Sequence, residues 1–433
     1  MPKVDFLIPG PSPTTIGNAF WGKFRWLILP MSDLAWIGEQ FAARLPGHTL
    51  PQGLYLDPRA FDFDIEAIYG QSWLMAGFEC ELPKPGSYLA LTVGKWPVLI
   101  TRNRDGEIKA FHNSCRHRGS LICPNGHGSA ARLVCPYHRW TYDLDGALLA
   151  AGRMAPDFSK ADHGLKPIAV ECIAGAVFFC FAETPPPIAD FAAKFESYAA
   201  PHDFKNAKLA ASAVLVENAN WKLVMENARE CYHCATGHPQ LSKTFPVGMS
   251  KHFDAGEDGR LAAFAARMDG LGLAHTPVEG HWWQIARFAL NEGCVSISPD
   301  GQHLSQKLML DADDGDLGSM RWAIDPHIFG HAAADHAFMF SCMPVGPNET
   351  HVHSKWLVHK DAVEGVDYHL DQLTKLWTDT NLQDKDLTEN NQTGVFSPGY
   401  TPGPYSQDAE MLAQRFTDFY CDKAREYLDA YVD

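Results

Sequence analysis

Residues 113–140 read NSCRHRGSLICPNGHGSAARLVCPYHRW. This stretch holds two short pairs of metal-binding side chains: one residue separates Cys115 from His117, and two residues separate Cys135 from His138. Seventeen residues lie between the pairs, and they include three glycines and a proline that permit tight bends. Two thiolates and two imidazoles in this order can bind a [2Fe–2S] cluster in which the imidazoles replace thiolates on one iron. We therefore predict that these four residues hold such a cluster.

A zinc site is the alternative for two cysteines and two histidines. Structural zinc sites commonly pair Cys with Cys and His with His, as in Cys-x₂₋₄-Cys followed by His-x₃₋₅-His. Here each pair mixes one Cys with one His, which favours an iron–sulfur cluster of the Rieske type.

With this motif the chain resembles the α subunits of Rieske non-haem iron oxygenases. The Rieske proteins of respiratory chains carry an additional pair of cysteines in these loops, whereas Tyr137 occupies the corresponding position in the second loop here. The oxygenase branch therefore fits better. The resemblance implies a Rieske [2Fe–2S] cluster, a mononuclear Fe(II) that uses O₂, and a homotrimer. Because no Gly-rich dinucleotide motif is visible, NAD(P)H is expected to act through a separate flavin and iron–sulfur reductase.

The composition narrows the possible partners. Acidic residues outnumber basic residues by 52 to 36, which gives a net charge of −16. Nucleic-acid binding needs concentrated Lys and Arg, so this balance argues against it and is easier to reconcile with a cationic substrate. The apolar runs are too short to cross a membrane. The eleven cysteines are odd in number and widely scattered, which indicates reduced thiols and a cytoplasmic protein.

The length of 433 residues suits two domains, and the pattern predicts an α+β protein. We predict an N-terminal extension and helical lead-in at 1–54, a β-rich cluster domain at 55–187, and a catalytic domain at 188–433. Three prolines at 185–187 form the expected connector, and residues 1–30 are interpreted as an upstream extension without a role in function. The catalytic domain is expected to have strands at 211–216, 293–297 and 350–358 and helices at 221–234 and 367–392. The family resemblance implies a helix-grip fold there, an antiparallel sheet curled around a long helix.

A second metal site is predicted within the sequence WKLVMENARECYHCATGHP at 221–239. On a helix, Glu226, Glu230 and His233 are spaced i, i+4 and i+7 and would share one face. His238 follows Gly237, which can end the helix and turn the second imidazole back toward the first. Two histidines and one carboxylate form the facial triad that binds non-haem Fe(II) and leaves positions open.

The third ligand is expected from the helix at 367–392. Asp384 follows Trp377 and Asn381 along one helical face. The family's pattern of a ligand Asp followed after five, eight and ten residues by Glu, Gln and Gly is met by Asp384, Glu389, Gln392 and Gly394. Asn220, just before the first helix, is a weaker candidate for an outer contact.

Glu230 has a role implied by the resemblance. In this family an acidic residue connects the mononuclear iron of one subunit to the cluster of its neighbour, here from His233 to His138. Asp is common at this position, and Glu occurs in members that act on choline-, betaine- and carnitine-like compounds. Cys231 and Cys234 flank His233 as C-x-x-C, but the expected helix explains them better than a thioredoxin-like dithiol or half a zinc site.

The sequence therefore predicts the terminal oxygenase of a monooxygenase that removes a methyl group from a quaternary ammonium compound and releases formaldehyde. The runs ENARECYHC and TPGPYS resemble the glycine betaine and stachydrine demethylases. Ring hydroxylation of an aromatic acid by the same metals is the alternative. Because an ammonium group without hydrogen-bond donors is bound by aromatic faces, we name Trp377, Trp282 and Trp283 as candidate substrate contacts.

Overall fold

The computed structural model describes residues 29–247, 259–310 and 315–432. Nine α-helices lie in these ranges: α1 Met31–Ala42, α2 Gln52–Leu56, α3 Pro58–Phe63, α4 Ala189–Ala199, α5 Trp221–Ala228, α6 Cys234–Gly237, α7 Gly259–Leu271, α8 Leu370–Val395 and α9 Met411–Val432. A π-helical turn, Asp64–Tyr69, continues α3, and short 3₁₀ turns occupy Glu79–Glu81, Ala161–His163, Ala200–His202 and Leu241–Lys243.

Seventeen strands are described: β1 Leu74–Phe78, β2 Ser87–Val93, β3 Trp96–Arg102, β4 Ile108–His112, β5 Gly126–Ser129, β6 Leu133–Val134, β7 Thr141–Tyr142, β8 Leu148–Ala150, β9 Pro167–Ile173, β10 Ala176–Cys180, β11 Lys208–Glu217, β12 Val278–Glu279, β13 Trp283–Phe288, β14 Ser319–Ile324, β15 Ile328–Ala332, β16 His336–Gly346 and β17 Glu349–Val358. They form two large sheets and one small sheet.

The first half of the chain is the β-rich part. One antiparallel sheet has the strand order β1-β10-β9-β4-β3-β2-β5, and a three-stranded sheet β6-β7-β8 packs beside it. A separate apolar core joins the two through buried side chains such as Phe111, Leu133, Trp140 and Tyr142. Because both ends of segment 113–140 are tied to these strands, the two cysteine–histidine loops are held on a rigid support.

The second half is built on an antiparallel sheet with the order β11-β17-β16-β15-β14-β13-β12. Alternation along the strands divides its side chains between two faces. Trp283, Ile285 and Trp322 point to one face and join the core that includes helix α4. The register places Arg321 beside Ala286 on one side and His331 on the other, so these residues share the opposite face.

Helix α8 covers that opposite face. The ring of Trp377 lies flat on Phe338, with 4.3 Å between the ring centroids and 4° between the planes. One turn further, Asn381 Nδ2 donates a 2.9 Å hydrogen bond to Ser354 Oγ on β17. A long helix gripped by an antiparallel sheet is the expected helix-grip arrangement, and the α+β prediction is confirmed.

A buried charged network around Asp64 connects the N-terminal helices to helices α5 and α9. Asp64 accepts hydrogen bonds from Trp221 Nε1 at 2.9 Å and from the Tyr420 hydroxyl at 2.8 Å, and it pairs with the Lys222 ammonium. Lys222 and Asp64 are fully buried, and loss of one partner would leave the other as an uncompensated buried charge. This network fixes the start of α5, which leads into the second predicted metal site.

Several boundaries differ from the expectation. Residues 293–297 were expected to form a strand, but they form turns, bends and irregular backbone. Gly293 begins this segment with a φ of +79°, which a strand does not have. The helix expected at 221–234 ends at Ala228, and the one expected at 367–392 runs from Leu370 to Val395. The extension at 1–28 lies outside the described residues, and the domain boundaries stay predictions. Within the described ranges, no helix combines the length and the apolar character needed to cross a bilayer.

Candidate active site

The two loops that carry the first cysteine–histidine pairs have the same backbone design. The carbonyl oxygen of Cys115 accepts a hydrogen bond from Gly119 N, and that of Cys135 accepts one from Arg139 N, at 2.8 and 3.1 Å. Gly119 and Arg139 both have positive φ, +74° and +61°. Each loop is therefore a tight turn that presents its Cys and His side chains on one side.

The thiols lie inside the domain and the imidazoles lie toward its surface. Cys115 and Cys135 are 3% and 1% exposed, whereas His138 is exposed. The two imidazole rings approach to 4.6 Å between centroids, and the ring of His117 stacks on Trp140. All four side chains predicted to bind the cluster are thus brought together.

The surroundings of these side chains fit an iron–sulfur cluster. The Tyr142 hydroxyl accepts a hydrogen bond from Arg116 N and lies 3.3 Å from Cys115 Sγ, so its proton is free to point at the sulfur. Burial raises the pKa of Cys135, but hydrogen bonds from the backbone of Tyr137 and His138 and from the side chains of Cys115 and Ser120 together lower it below its ordinary value. His117 Nδ1 is buried and has no hydrogen-bond partner in the described part of the chain. A stabilised thiolate at Cys135 and an unused imidazole nitrogen at His117 are suited to cluster ligands.

His233, His238 and Asp384 converge at one point of the second half. The Nε2 atoms of the two imidazoles are 3.1 Å apart, and Asp384 Oδ1 lies 3.2 Å from His233 Nε2 and 2.9 Å from His238 Nε2. Two ligands at right angles on one ion with bonds of about 2.1 Å would be separated by about 3 Å. Three lone-pair donors at this spacing fit one face of a metal coordination sphere.

The other nitrogen of each imidazole is held by the protein. His233 Nδ1 lies 2.5 Å from Glu230 Oε1, and His238 Nδ1 lies 2.7 Å from Gln383 Oε1. Such partners fix the ring orientation and the tautomer of a metal-binding histidine. Although burial opposes the charged form, contacts with Asp384 and Glu230 raise the pKa of His233 to about 9. The two carboxylates therefore make this an electronegative point that suits a cation.

Two expected site residues have other contacts. Because α5 ends at Ala228, Glu226 does not share a face with His233 but accepts hydrogen bonds from the hydroxyls of Tyr55 and Tyr405, at 2.7 and 2.8 Å. Burial raises the pKa of Glu226 to about 7. Asn220 caps α5 by accepting a 3.0 Å hydrogen bond from Lys222 N, and its amide holds Tyr55 and Pro347 carbonyls. Both residues support the backbone near the site rather than line it.

Cys231 and Cys234 form a disulfide, contrary to the expectation that the cysteines are reduced. They lie in the turn between α5 and α6, where the expected helix is interrupted and their side chains can meet. The other described cysteines are free thiols.

A cavity of about 170 Å³ opens between the sheet and α8 and reaches the His233, His238 and Asp384 cluster. Aromatic rings form one part of its wall, with Phe245, Phe288, Phe329, His331 and Trp377. Gln284, Arg229 and Arg321 supply polar groups. Of these residues the sequence indicated only Trp377. Most of the others lie on strands that are brought together by long-range pairing, and Arg229 and Phe245 lie in a turn and a bend.

Trp282 and Trp283 are not among the residues that line this cavity, which corrects their expected role as substrate contacts. Trp283 alternates with Gln284 along β13 and therefore faces the opposite side of the sheet. The rings of both tryptophans pack on Phe191 of α4, at 4.9 and 5.8 Å between centroids.

Known proteins agree with this architecture. Residues 72–169 match the family model of the Rieske [2Fe-2S] domain, and residues 204–426 match that of the ring hydroxylating alpha subunit catalytic domain. The chain is 46% identical to the glycine betaine monooxygenase oxygenase subunit of Pseudomonas aeruginosa strain UCBPP-PA14, over 89% of this chain and 91% of that protein. It is 43% identical to the subunit of the same name from Chromohalobacter salexigens, over 90% and 89% of the two chains.

A solved structure shares the fold. The quaternary ammonium Rieske monooxygenase CntA in complex with L-carnitine superposes with a TM-score of 0.66 at 23% identity, over 89% of this chain and 97% of that one. The two family models, the relatives and the paired metal-binding geometries agree, and the chain belongs to the family of Rieske non-haem iron oxygenase α subunits.

Proposed function

We propose that this oxygenase removes one methyl group from glycine betaine or a similarly small quaternary ammonium carboxylate. For glycine betaine, one O₂, two electrons and two protons would yield dimethylglycine, formaldehyde and water. The relatives named for glycine betaine monooxygenase support this substrate class. The reaction hydroxylates an N-methyl carbon, and the resulting carbinolamine releases formaldehyde.

The site residues divide between two groups. We assign Cys115, His117, Cys135 and His138 to the cluster, on their loop geometry. We assign the mononuclear iron to His233, His238 and Asp384, on their mutual distances of 2.9–3.2 Å. When bound, the cluster supplies single electrons and the iron supplies O₂ activation, while the protein positions the substrate and limits access of water.

The volume and the aromatic lining of the cavity support the choice of substrate. Its volume of about 170 Å³ is similar to that of an engineered protein cavity of about 150 Å³ that accommodates benzene. A compact molecule of a few heavy atoms such as glycine betaine fits this size. Aromatic faces attract a cation that has no hydrogen-bond donor. Trp377, which reaches the cavity from α8 two turns before Asp384, is the ring we assign to the trimethylammonium group.

The proposed function also requires an electron donor and contact between subunits. We propose a homotrimer in the cytoplasm that receives electrons from NAD(P)H through a separate flavin and iron–sulfur reductase. Exposure of His138 supports this, because a histidine of the cluster at the surface can meet another protein chain.

Glu230→Gln is expected to slow electron passage from cluster to iron by about 10- to 100-fold, the usual effect of losing an outer partner of a metal ligand. The variant keeps the side-chain size but replaces the carboxylate oxygen that lies 2.5 Å from His233 Nδ1. Stopped-flow reoxidation of the reduced cluster with substrate and O₂ measures the step.

Iron and sulfide contents should equal those of the unaltered protein, and the exposed Glu292→Gln should behave as the unaltered protein. Reoxidation at the normal rate in Glu230→Gln would show that Glu230 does not connect the centres.

A substrate series tests the ammonium requirement. Glycine betaine and 3,3-dimethylbutanoate have the same shape and carboxylate, but the second has carbon in place of the cationic nitrogen. We expect O₂ uptake coupled to formaldehyde with glycine betaine, no hydroxylated product from 3,3-dimethylbutanoate, and no product from benzoate. Hydroxylation of benzoate without turnover of glycine betaine would refute the proposal in favour of aromatic ring hydroxylation.

A further inference from the structure

Arg321 stands out among the polar residues of the cavity because it lacks an acidic partner. It projects from β14 on the same face as His331, and its Nη1 donates a 3.1 Å hydrogen bond to the side-chain oxygen of Gln284. No carboxylate in the described ranges forms an ion pair with it. A guanidinium in a partly apolar cavity without an anion is costly, so an unmatched one indicates a ligand.

The two neighbouring arginines, unlike Arg321, each form an ion pair with a carboxylate. Arg229 binds Asp325 through Nε at 3.0 Å and Nη2 at 2.8 Å, and Arg415 pairs with Glu279. Arg229, Arg321 and Arg415 also line one small adjoining hollow with Asp325. Asp325 and Glu279 are thus paired with Arg229 and Arg415, and Arg321 is the one of these three guanidiniums without an ion-pair partner in the described ranges.

The surroundings of Arg321 disfavour its charge and would favour the approach of an anion. Burial is the main cause that lowers the pKa of Arg321, to about 9, and Arg229 adds to the effect, while Asp325 opposes it. An incoming carboxylate would reverse this penalty, since a guanidinium offers two parallel N–H donors to the two oxygens of a carboxylate. Arg229 also has a buried Nη1 without a hydrogen-bond partner in the described part, and it too lines the cavity.

We propose that Arg321 binds the carboxylate of the substrate. The aromatic residues of the cavity then hold its methylammonium end close to the cluster of His233, His238 and Asp384. This inference rests on the proposed function and identifies the residue that binds the carboxylate. Specificity then depends on both charges, because a substrate must carry an anion as well as a cation. Choline, which has the same trimethylammonium group but a hydroxymethyl group in place of the carboxylate, lacks the group that Arg321 binds.

The test measures dissociation constants by calorimetry on the anaerobic holoenzyme with three ligands. Glycine betaine carries both charges, choline only the cation, and 3,3-dimethylbutanoate only the anion. In Arg321→Gln the dissociation constants of glycine betaine and 3,3-dimethylbutanoate are each expected to rise about 100-fold. That of choline should stay within about twofold of its value in the unaltered protein. Arg321→Lys should recover part of the loss. In steady state, KM for glycine betaine should rise much more than kcat falls.

Arg425→Gln is the control. It removes an exposed guanidinium of α9 that pairs with Asp422 and lines neither the cavity nor the adjoining hollow, so all three ligands should bind as before. Circular dichroism, iron content and the cluster spectrum of each variant establish that the protein is folded and loaded.

The outcomes separate the inference from the proposed function. Equal weakening of all three ligands in Arg321→Gln, or no weakening of any, would overturn the carboxylate assignment. If 3,3-dimethylbutanoate weakens in the variant but glycine betaine is not a substrate of the unaltered enzyme, Arg321 is a carboxylate site and the proposed substrate is wrong.

Discussion

Asp384→Asn is expected to empty the mononuclear iron site and abolish formaldehyde production, while the visible spectrum of the cluster stays that of the unaltered protein. Asp384 Oδ1 lies within 3.2 Å of both imidazole nitrogens, and contacts with His233 and His238 hold the pKa of this carboxyl below its usual range despite burial. An amide has no negative charge to place at that point. The loss should exceed the roughly 10- to 100-fold effect of removing an outer partner. Iron analysis and a formaldehyde assay measure it.

Asp386→Asn is the matched control, because this side chain lies two residues away on the same helix and is exposed. Full iron content and activity are expected. If Asp384→Asn instead removed the colour of the cluster, the separation of the two centres onto different residues would be wrong.

Cys135→Ser is expected to remove the red-brown chromophore and with it all turnover driven by the reductase. Cys135 is 1% exposed, and its thiolate is stabilised by the N–H groups of Tyr137 and His138. A serine hydroxyl does not ionise at neutral pH and is a poor ligand for an iron–sulfur cluster. The absorption spectrum and acid-labile sulfide report the loss directly.

Cys123→Ala gives the comparison within the same loop region. Burial raises the pKa of Cys123 to about 11, so this thiol is protonated and serves as a small apolar side chain. The variant should keep the colour. Loss of the chromophore in Cys123→Ala and its retention in Cys135→Ser would reverse the ligand assignment.

The sequence was sufficient for features that depend on short spacing. The approach of the Cys115 and Cys135 loops could be predicted because their cysteines and histidines lie within 28 residues, and that of His233 and His238 because only five positions separate them. Trp377 and Asp384 could be placed on one face since α8 is a regular helix of 26 residues. The prediction that one helix carries Glu226 and His233 on a shared face was wrong, because the helix ends at Ala228.

Features that depend on long-range pairing could not be predicted. Phe288, Arg321 and His331 share a face only because β13, β14 and β15 pair in one register. Gln383 escaped notice because an amide beside Asp384 has no pattern of its own, although its oxygen lies 2.7 Å from His238 Nδ1. The cavity wall and the outer partners of the metal ligands are therefore tertiary properties.

A single turnover of the prereduced oxygenase, without reductase, tests the central claim that two metal centres of this chain demethylate a quaternary ammonium carboxylate. The protein is reduced anaerobically, separated from the reductant, and mixed with glycine betaine and O₂. We predict dimethylglycine and formaldehyde in equal amounts, appearing as the cluster reoxidises. Reoxidation of the cluster in the presence of glycine betaine with neither product formed would contradict the account.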